Sequence, residues 1–156
     1  MKKNHKIKSE SGQSMVELAM SITFMLVLLA GVVDLGRAFF AYTALRDAAQ
    51  EGAAYASIAR LDQADPMLCS DIVTRAQGSS NTQIVDLSQT TVDVFFDGVA
   101  CASAANSNAC LGQAVEVVVT YANFPLATPF LGTILGSQTI PIQAKILDTV
   151  LTPPCH

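Results

Sequence analysis

Between Leu18 and Val33 the chain reads LAMSITFMLVLLAGVV, sixteen residues without a charge or a proline. Apolar character resumes beyond Asp34 and Arg37 with AFFAY. A helix needs roughly 20 apolar residues to cross the hydrocarbon core, and flanking side chains that snorkel shorten that requirement. With Met15 and Val16 before the run and Ala38 to Tyr42 after it, the pattern predicts one transmembrane helix over about 15–37, with Glu17, Asp34 and Arg37 near the interfaces or paired. Asp34 and Arg37 are three apart on one helical face, the spacing of a mutual ion pair. Lys2, Lys3, Lys6 and Lys8 all precede the span, which under the positive-inside rule holds the N-terminus in the cytoplasm and places the chain beyond about residue 40 outside. The competing readings are a core helix of a soluble protein and a cleaved signal peptide. The second needs a small-residue cleavage site just after the apolar run, where Asp34-Leu35-Gly36-Arg37 stands instead.

No proline occurs before Pro66, so the helix is expected to run on beyond the bilayer, over 13–60, for roughly 70 Å at 1.5 Å per residue. Ala38, Ala41, Leu45, Ala48, Gly52, Tyr55 and Ala59 follow an alternating three-and-four spacing, a seam for packing. Ala44, Ala48, Gly52 and Ala56 recur every four residues, the small-residue pattern that lets helices approach closely. Such a seam packs either against a sheet of its own chain or against copies of itself in a filament. Further on, Asp65 and Pro66 read as the N-cap and first position of a short second helix, PMLCSDIVTRAQ, with Gly78 after it. Three runs then alternate like half-buried strands: TTVDVFF (90–96), AVEVVVTY (114–121) and TIPIQAKILDTV (139–150), the last marked as an edge by Pro141. The fold class expected is α+β, a long helix continuing into a domain with a small antiparallel sheet of about three strands. The connection 122–138 is apolar for a loop, and serves either as a cap on the core or as a contact surface for another subunit or the membrane.

Composition narrows the function. The chain is 51% hydrophobic and 14% charged, with a formal net charge of −4. Beyond residue 12, five basic side chains face twelve acidic ones, a balance of −7 that argues against nucleic-acid binding. Cys69, Cys101, Cys110 and Cys155 all follow the span, where an exported chain meets oxidising conditions, so disulfides are expected. Three connectivities are open. Cys101 and Cys110 bracket a short loop, which favours a bridge between them and leaves Cys69 with Cys155. The only histidines are His5 and His156 and there is no C-x-x-C pair, so no metal site is expected. Neither a glycine-rich phosphate loop nor a nucleophile elbow occurs, and the expectation is a protein that is not an enzyme and carries no cofactor.

Gly12-Gln13-Ser14-Met15-Val16-Glu17 sets a glycine five residues before a glutamate at the mouth of the apolar helix. This resembles a prepilin peptidase site, cut on the cytoplasmic side between Gly12 and Gln13. From Gly12 to Ala56 the chain is similar to the TadE-like family of membrane-anchored minor pilins in tight-adherence pilus systems. The matching pieces are Gly12-Gln13, Val16-Glu17, Asp34-Leu35-Gly36-Arg37, Ala44-Leu45 and Ala48-Ala49-Gln50-Glu51-Gly52-Ala53, with departures at Leu18, Thr23 and Ala54. The domains expected are a basic cytoplasmic leader (1–12), a long helix (13–60) that spans the membrane at about 15–37, and an exterior helix-plus-sheet domain (61–156), the architecture also implied by the resemblance. The resemblance implies partners as well: membrane lipid, pilin-like subunits, a prepilin peptidase and an inner-membrane assembly platform. A carboxylate at the bilayer centre costs roughly 2.5 to 3.5 kcal/mol and less near the edge, so Glu17 needs a partner or water. The amino group released at Gln13 of a neighbouring subunit is one such partner, and the headgroup region is the other. The expected function is that of a minor structural component of a tight-adherence pilus or related secretion filament at the bacterial cytoplasmic membrane. The alternative is an uncleaved anchor displaying a disulfide-braced binding domain.

Overall fold

A computed structural model of the protein describes residues 11–58, 66–79, 85–104 and 109–151. Residues 1–10 of the basic leader, Ala59, the Asp65 cap, Cys155 and both histidines lie outside the described residues. Helix α1 spans Ser11–Ile58, 48 residues without a break. Helix α2 follows at Pro66–Gly78. The sheet is built from β1 (Thr91–Phe96), β2 (Val99–Ala100), β3 (Ala114–Pro125) and β4 (Thr139–Thr149), with a short helix α3 (Pro129–Leu135) between the last two. Its order is β2-β1-β3-β4 and every neighbouring pair is antiparallel. The α+β class and the helix-on-sheet layering are those expected, with four strands in place of about three.

The fourth strand comes from a turn rather than from alternation. Asp97 and Gly98 have φ of +49° and +78°, and pair Phe96 with Val99 across a two-residue hairpin. Positive φ at both central residues matches the right-handed twist of the flanking strands, and an Asp-Gly step supplies it at small cost. β2 is too short to show any alternation. β4, with Pro141, occupies the opposite edge, a position at which a strand tolerates proline.

One face of the sheet is buried against α1. Val94 and Phe96 of β1, Val115, Val117 and Val119 of β3, and Ile142 and Ala144 of β4 point inward, in keeping with the strand period of two. β3 extends past the predicted end at Tyr121 because of a bulge: Tyr121 pairs with Ile142, but Phe124 pairs with Ile140. The extra residue switches the parity of the strand. Phe124 thereby turns into the core, where it is fully buried, while Ala122 and Asn123 face solvent. Outside, Lys145 meets Glu116 at 2.8 Å as a diagonal cross-strand pair. Before β1, the exposed Asp86 caps a single 3₁₀ turn. The Ser88 hydroxyl, then the Gln89 amide and the Ser88 N–H, hold its carboxyl below the usual carboxylate range.

The helix answers the sheet with small side chains. Ala41, Leu45, Ala48 and Gly52 of the predicted seam are buried, as are Ala44, Ala49, Ala53 and Ala56. The upper seam is therefore an internal core, covered by the chain's own sheet and by α2. Gly52 marks the closest approach: a Cβ there would stand 3.1 Å from Ala76 Cβ of α2 and 3.4 Å from Val117 Cγ1 of β3. A single methyl costs a few tenths of an ångström of adjustment and gains helix propensity of about 1 kcal/mol, so Gly52→Ala is expected to be nearly neutral. Gly52→Val adds two more carbons between three packed elements and is expected to cost about 2 kcal/mol by overpacking. Thermal unfolding followed by circular dichroism separates them, and equal midpoints for the two variants would contradict this packing.

The sheet lies along the upper half of α1 only. At one end the Leu151 N–H donates to the Ser57 carbonyl at 2.8 Å. At the other, Arg37 Nη1 is 3.5 Å from the Pro125 carbonyl. The twelve residues of β3 reach roughly 40 Å, close to the roughly 35 Å of helix from residue 34 to residue 57. The length of two strands thus sets how much of the helix is covered.

Candidate functional site

Below the sheet α1 stands bare. Every residue from Gly12 to Leu29 is exposed, among them Met15 (75%), Met25 (71%) and Leu29 (63%). An 18-residue window of this helix has a mean hydropathy of 2.3 and is 0% buried. A core helix would be covered by its own protein, and among the described residues nothing packs on this run. The polar side chains inside the run are largely satisfied within the helix. Ser21 donates to the Glu17 carbonyl at 2.9 Å and Thr23 to the Ala19 carbonyl at 2.8 Å, so neither needs a further partner in an apolar medium. Glu17 differs. Its carboxylate is exposed and has no partner among the described residues, and it is the only charged side chain between Gly12 and Val33. Gly12 and Gln13 are exposed on the first turn.

The junction between bare and covered helix is built around Asp34. Its side chain is 2% exposed and accepts the N–H groups of Ala127 at 3.0 Å and Thr128 at 2.9 Å, and the Thr128 hydroxyl at 2.5 Å. Arg37 Nη1 lies 3.4 Å from Asp34 Oδ1, and the guanidinium sits 5.5 Å from the centre of the Phe124 ring. Carboxylate hydrogen bonds to backbone N–H groups are charge-assisted and stronger than neutral ones. Asp34 is therefore chiefly a clamp on residues 127 and 128, with Arg37 completing its shell. Sequence reasoning about Asp34 stopped at Arg37 because the other partners are about ninety residues away. One local signal for them existed: Thr128-Pro129 reads as an N-cap followed by proline at the first helical position. α3 does begin there, although Thr128 spends its hydroxyl on Asp34 and makes no side-chain cap bond.

Residues 12–54 match the family described as TadE-like protein. The likeness is confined to that stretch. No curated protein and no solved structure matches the chain. The TadE-like match covers the bare helix, the Asp34 junction and the small-residue face, and stops four residues before α1 does. The sheet that clamps onto it lies wholly beyond the matched residues.

The cysteines correct one expectation. Cys69 of α2 is bonded to Cys101, with their Cα atoms 6.0 Å apart. Cys101 is thus not bridged to Cys110, nor Cys69 to Cys155. Cys110 is itself in a disulfide, and Cys155 lies outside the described residues. The reason is the missed hairpin: β2 reverses the chain after Phe96, and the turn at Cys101–Ser103 delivers Cys101 beneath α2. There Cys69, Ile72 and Ala76 form one helical face turned toward the core. Loop length along the chain carried no information on that reversal. Besides this bridge, α2 is held by Arg75 Nε to Glu51 Oε1 at 2.8 Å and by Gln77 to the Thr90 carbonyl at 3.0 Å. Among the described residues no three histidine, cysteine or acidic side chains converge as metal ligands.

Proposed function

We propose that the chain is a minor pilin-like structural component of a tight-adherence pilus or related secretion filament, anchored in the bacterial cytoplasmic membrane by α1. Its leader lies in the cytoplasm and its sheet domain, residues 61–156, outside. The observation that carries the reading is the bare TadE-like helix: an apolar rod exposed on all sides, with one glutamate near its start that has no partner among the described residues, attached to a sheet that covers only the other half. Such a rod is stable in lipid and equally in a bundle of like helices, the two environments between which a filament subunit moves. Cleavage between Gly12 and Gln13 would create an α-ammonium one helical turn from Glu17. In a neighbouring subunit that cation neutralises the carboxylate in a medium where an isolated charge is costly. The peptidase and an inner-membrane assembly platform are the further partners, and the role is structural rather than enzymatic.

Intact mass and N-terminal sequencing of the chain from its native membrane test the processing step, and shearing of the cells tests assembly. The expected result is a mature start at Gln13 and co-fractionation with sheared filaments. Glu17→Ala is expected to lower the filament-bound fraction at least about tenfold, equivalent to about 1.4 kcal/mol per subunit contact, while the membrane-bound amount stays unchanged. A chain starting at Met1 or Lys2 and retained wholly in membranes overturns this reading in favour of an uncleaved anchor displaying its disulfide-braced domain.

A further inference from the structure

We propose that the tip of the β3–β4 hairpin, centred on α3, is a second membrane contact: it rests in the outer interfacial layer of the same bilayer that α1 crosses. This rests on the anchor reading above.

Three observations converge on it. The first is level. Asp34 clamps Ala127 and Thr128, so α3, which starts at the next residue, leaves the sheet where the bare apolar helix ends. From Leu18 to Val33 that helix offers about 24 Å of charge-free length at 1.5 Å per residue, short of the roughly 30 Å hydrocarbon thickness. Filling the core carries the boundary past Asp34, and the exposed aromatic residues Phe39, Phe40 and Tyr42 lie just beyond, where ring side chains favour the headgroup region. At that depth the tip is immersed with the helix. The Asp34 charge is kept from lipid by the tip's own N–H groups and hydroxyl, and Arg37 has length enough to snorkel.

The second is charge. No charged residue lies between Glu116 and Lys145, so the whole tip is neutral. The acids gather toward the other end: Asp97 beside Ala114 and Asp148 opposite Val115, with Asp47, Glu51 and Asp71 outnumbering Arg75 around the α1–α2 groove. The domain is thus neutral where it would meet the bilayer and acidic where it would not.

The third is exposure. Ile134 is 79% and Leu135 59% exposed on the last turn of α3, which Gly136 closes in the left-handed conformation (φ +73°). Leu35, 71% exposed on α1, stands at the same level. With Asp34 buried and Arg37 the partly exposed charge at the junction, these apolar side chains lie at the upper end of the bare helix, which is why a phospholipid interface is the occupant the surface fits.

The chain contains no tryptophan, so single-tryptophan variants report cleanly on position. Leu28→Trp, Ile134→Trp and Leu147→Trp place the probe in the bare helix, on the tip and on the outer sheet face, and each full-length protein is reconstituted in phosphatidylcholine vesicles with brominated acyl chains. Leu28→Trp and Ile134→Trp are expected to lose most of their emission, with Ile134→Trp quenched best by bromines near the headgroup, while Leu147→Trp keeps its emission. If Leu28→Trp is quenched and Ile134→Trp is not, the tip does not contact lipid and this proposal is overturned. Emission from Ile134→Trp that shifts to the blue with protein concentration but resists quenching would overturn it in favour of a second copy as the occupant. An unquenched Leu28→Trp would overturn the anchor reading itself. Leu135→Trp repeats the test on the neighbouring position should the Ile134 variant not fold.

Discussion

Asp34→Ala is expected to free the 126–138 segment from α1 and to lower the unfolding midpoint of the sheet domain by roughly 10 to 20 °C. The carboxylate is buried and serves two backbone N–H groups and a hydroxyl. Alanine leaves all three donors without an acceptor in a half-buried loop, and each orphaned group costs about 1 to 3 kcal/mol, for a net loss of about 3 kcal/mol. The Arg37 guanidinium loses its ion partner but keeps Phe124 beneath it and solvent on one side, and adds little to that cost. Thr128→Val removes only the hydroxyl and should cost about 1 kcal/mol. Asp34→Asn keeps one acceptor oxygen but turns an NH₂ toward the same donors, and belongs between the two. Calorimetry of the detergent-solubilised full chain measures the midpoints, and limited proteolysis reports whether cleavage moves into 126–138. Equal midpoints and unchanged cleavage for Asp34→Ala would mean that the clamp does not hold the sheet to the helix.

Loss of the Cys69–Cys101 bridge is expected to have a comparable effect. The bond closes a loop with a sequence separation of 32. In the chain-entropy account, cross-linking a loop of that length restricts the unfolded chain by about 3.5 kcal/mol. The bond is the covalent tie between α2 and the end of β2, and the rest of the hold on α2 is non-covalent. Ile72 and Ala76 pack into the core, but the Glu51–Arg75 pair is largely solvent-exposed and pairs of that kind contribute at most about 1 kcal/mol. The double variant Cys69→Ser, Cys101→Ser is therefore expected to lose about 3 kcal/mol and to detach α2 before the sheet melts. Hydrogen exchange would show this as protection lost across Cys69–Gly78 while β1 and β3 retain theirs. Peptide mapping without reduction provides the independent check: a peptide joining residues 69 and 101 is expected, and one joining 101 and 110 would contradict this connectivity.

The two effects describe how the sheet domain is mounted on a long helix. It is pinned to α1 at the bottom by one buried carboxylate and tied at its β2 edge by one covalent bond to α2, which packs on the same helix, with a layer of alanines between. Alanine and Gly52 contribute little apolar area each, but they allow the sheet and α2 to approach the helix axis closely, and close packing recovers dispersion contacts that larger, looser side chains would lose. Small residues that permit close approach are as useful inside one chain as between chains, so the pattern Ala44-Ala48-Gly52-Ala56 could not by itself say which of the two it served.

What the amino-acid order determined alone are the features whose physics is local. The charge-free run from Leu18 to Val33 needs no partner in the chain to be recognised as apolar, and the unbroken helix to Ile58 follows from the lack of proline. Alternation in β1, β3 and β4 places each buried face, because a strand's period of two is a property of its backbone. Tertiary structure alone decided the rest, and in each case the deciding contact is distant in sequence. Asp34 meets Thr128 only because two strands happen to equal the covered helix in length. Phe124 enters the core only because a bulge shifts parity against a partner strand, and Cys101 finds Cys69 only after a hairpin of two residues turns it back. The bare half of α1 is charge-free from Leu18 to Val33 while the covered half is alanine-rich and carries Asp34, Arg37, Arg46, Asp47 and Glu51, but it is the reach of the sheet that fixes where the half buried in protein gives way to the half left for lipid or for other helices.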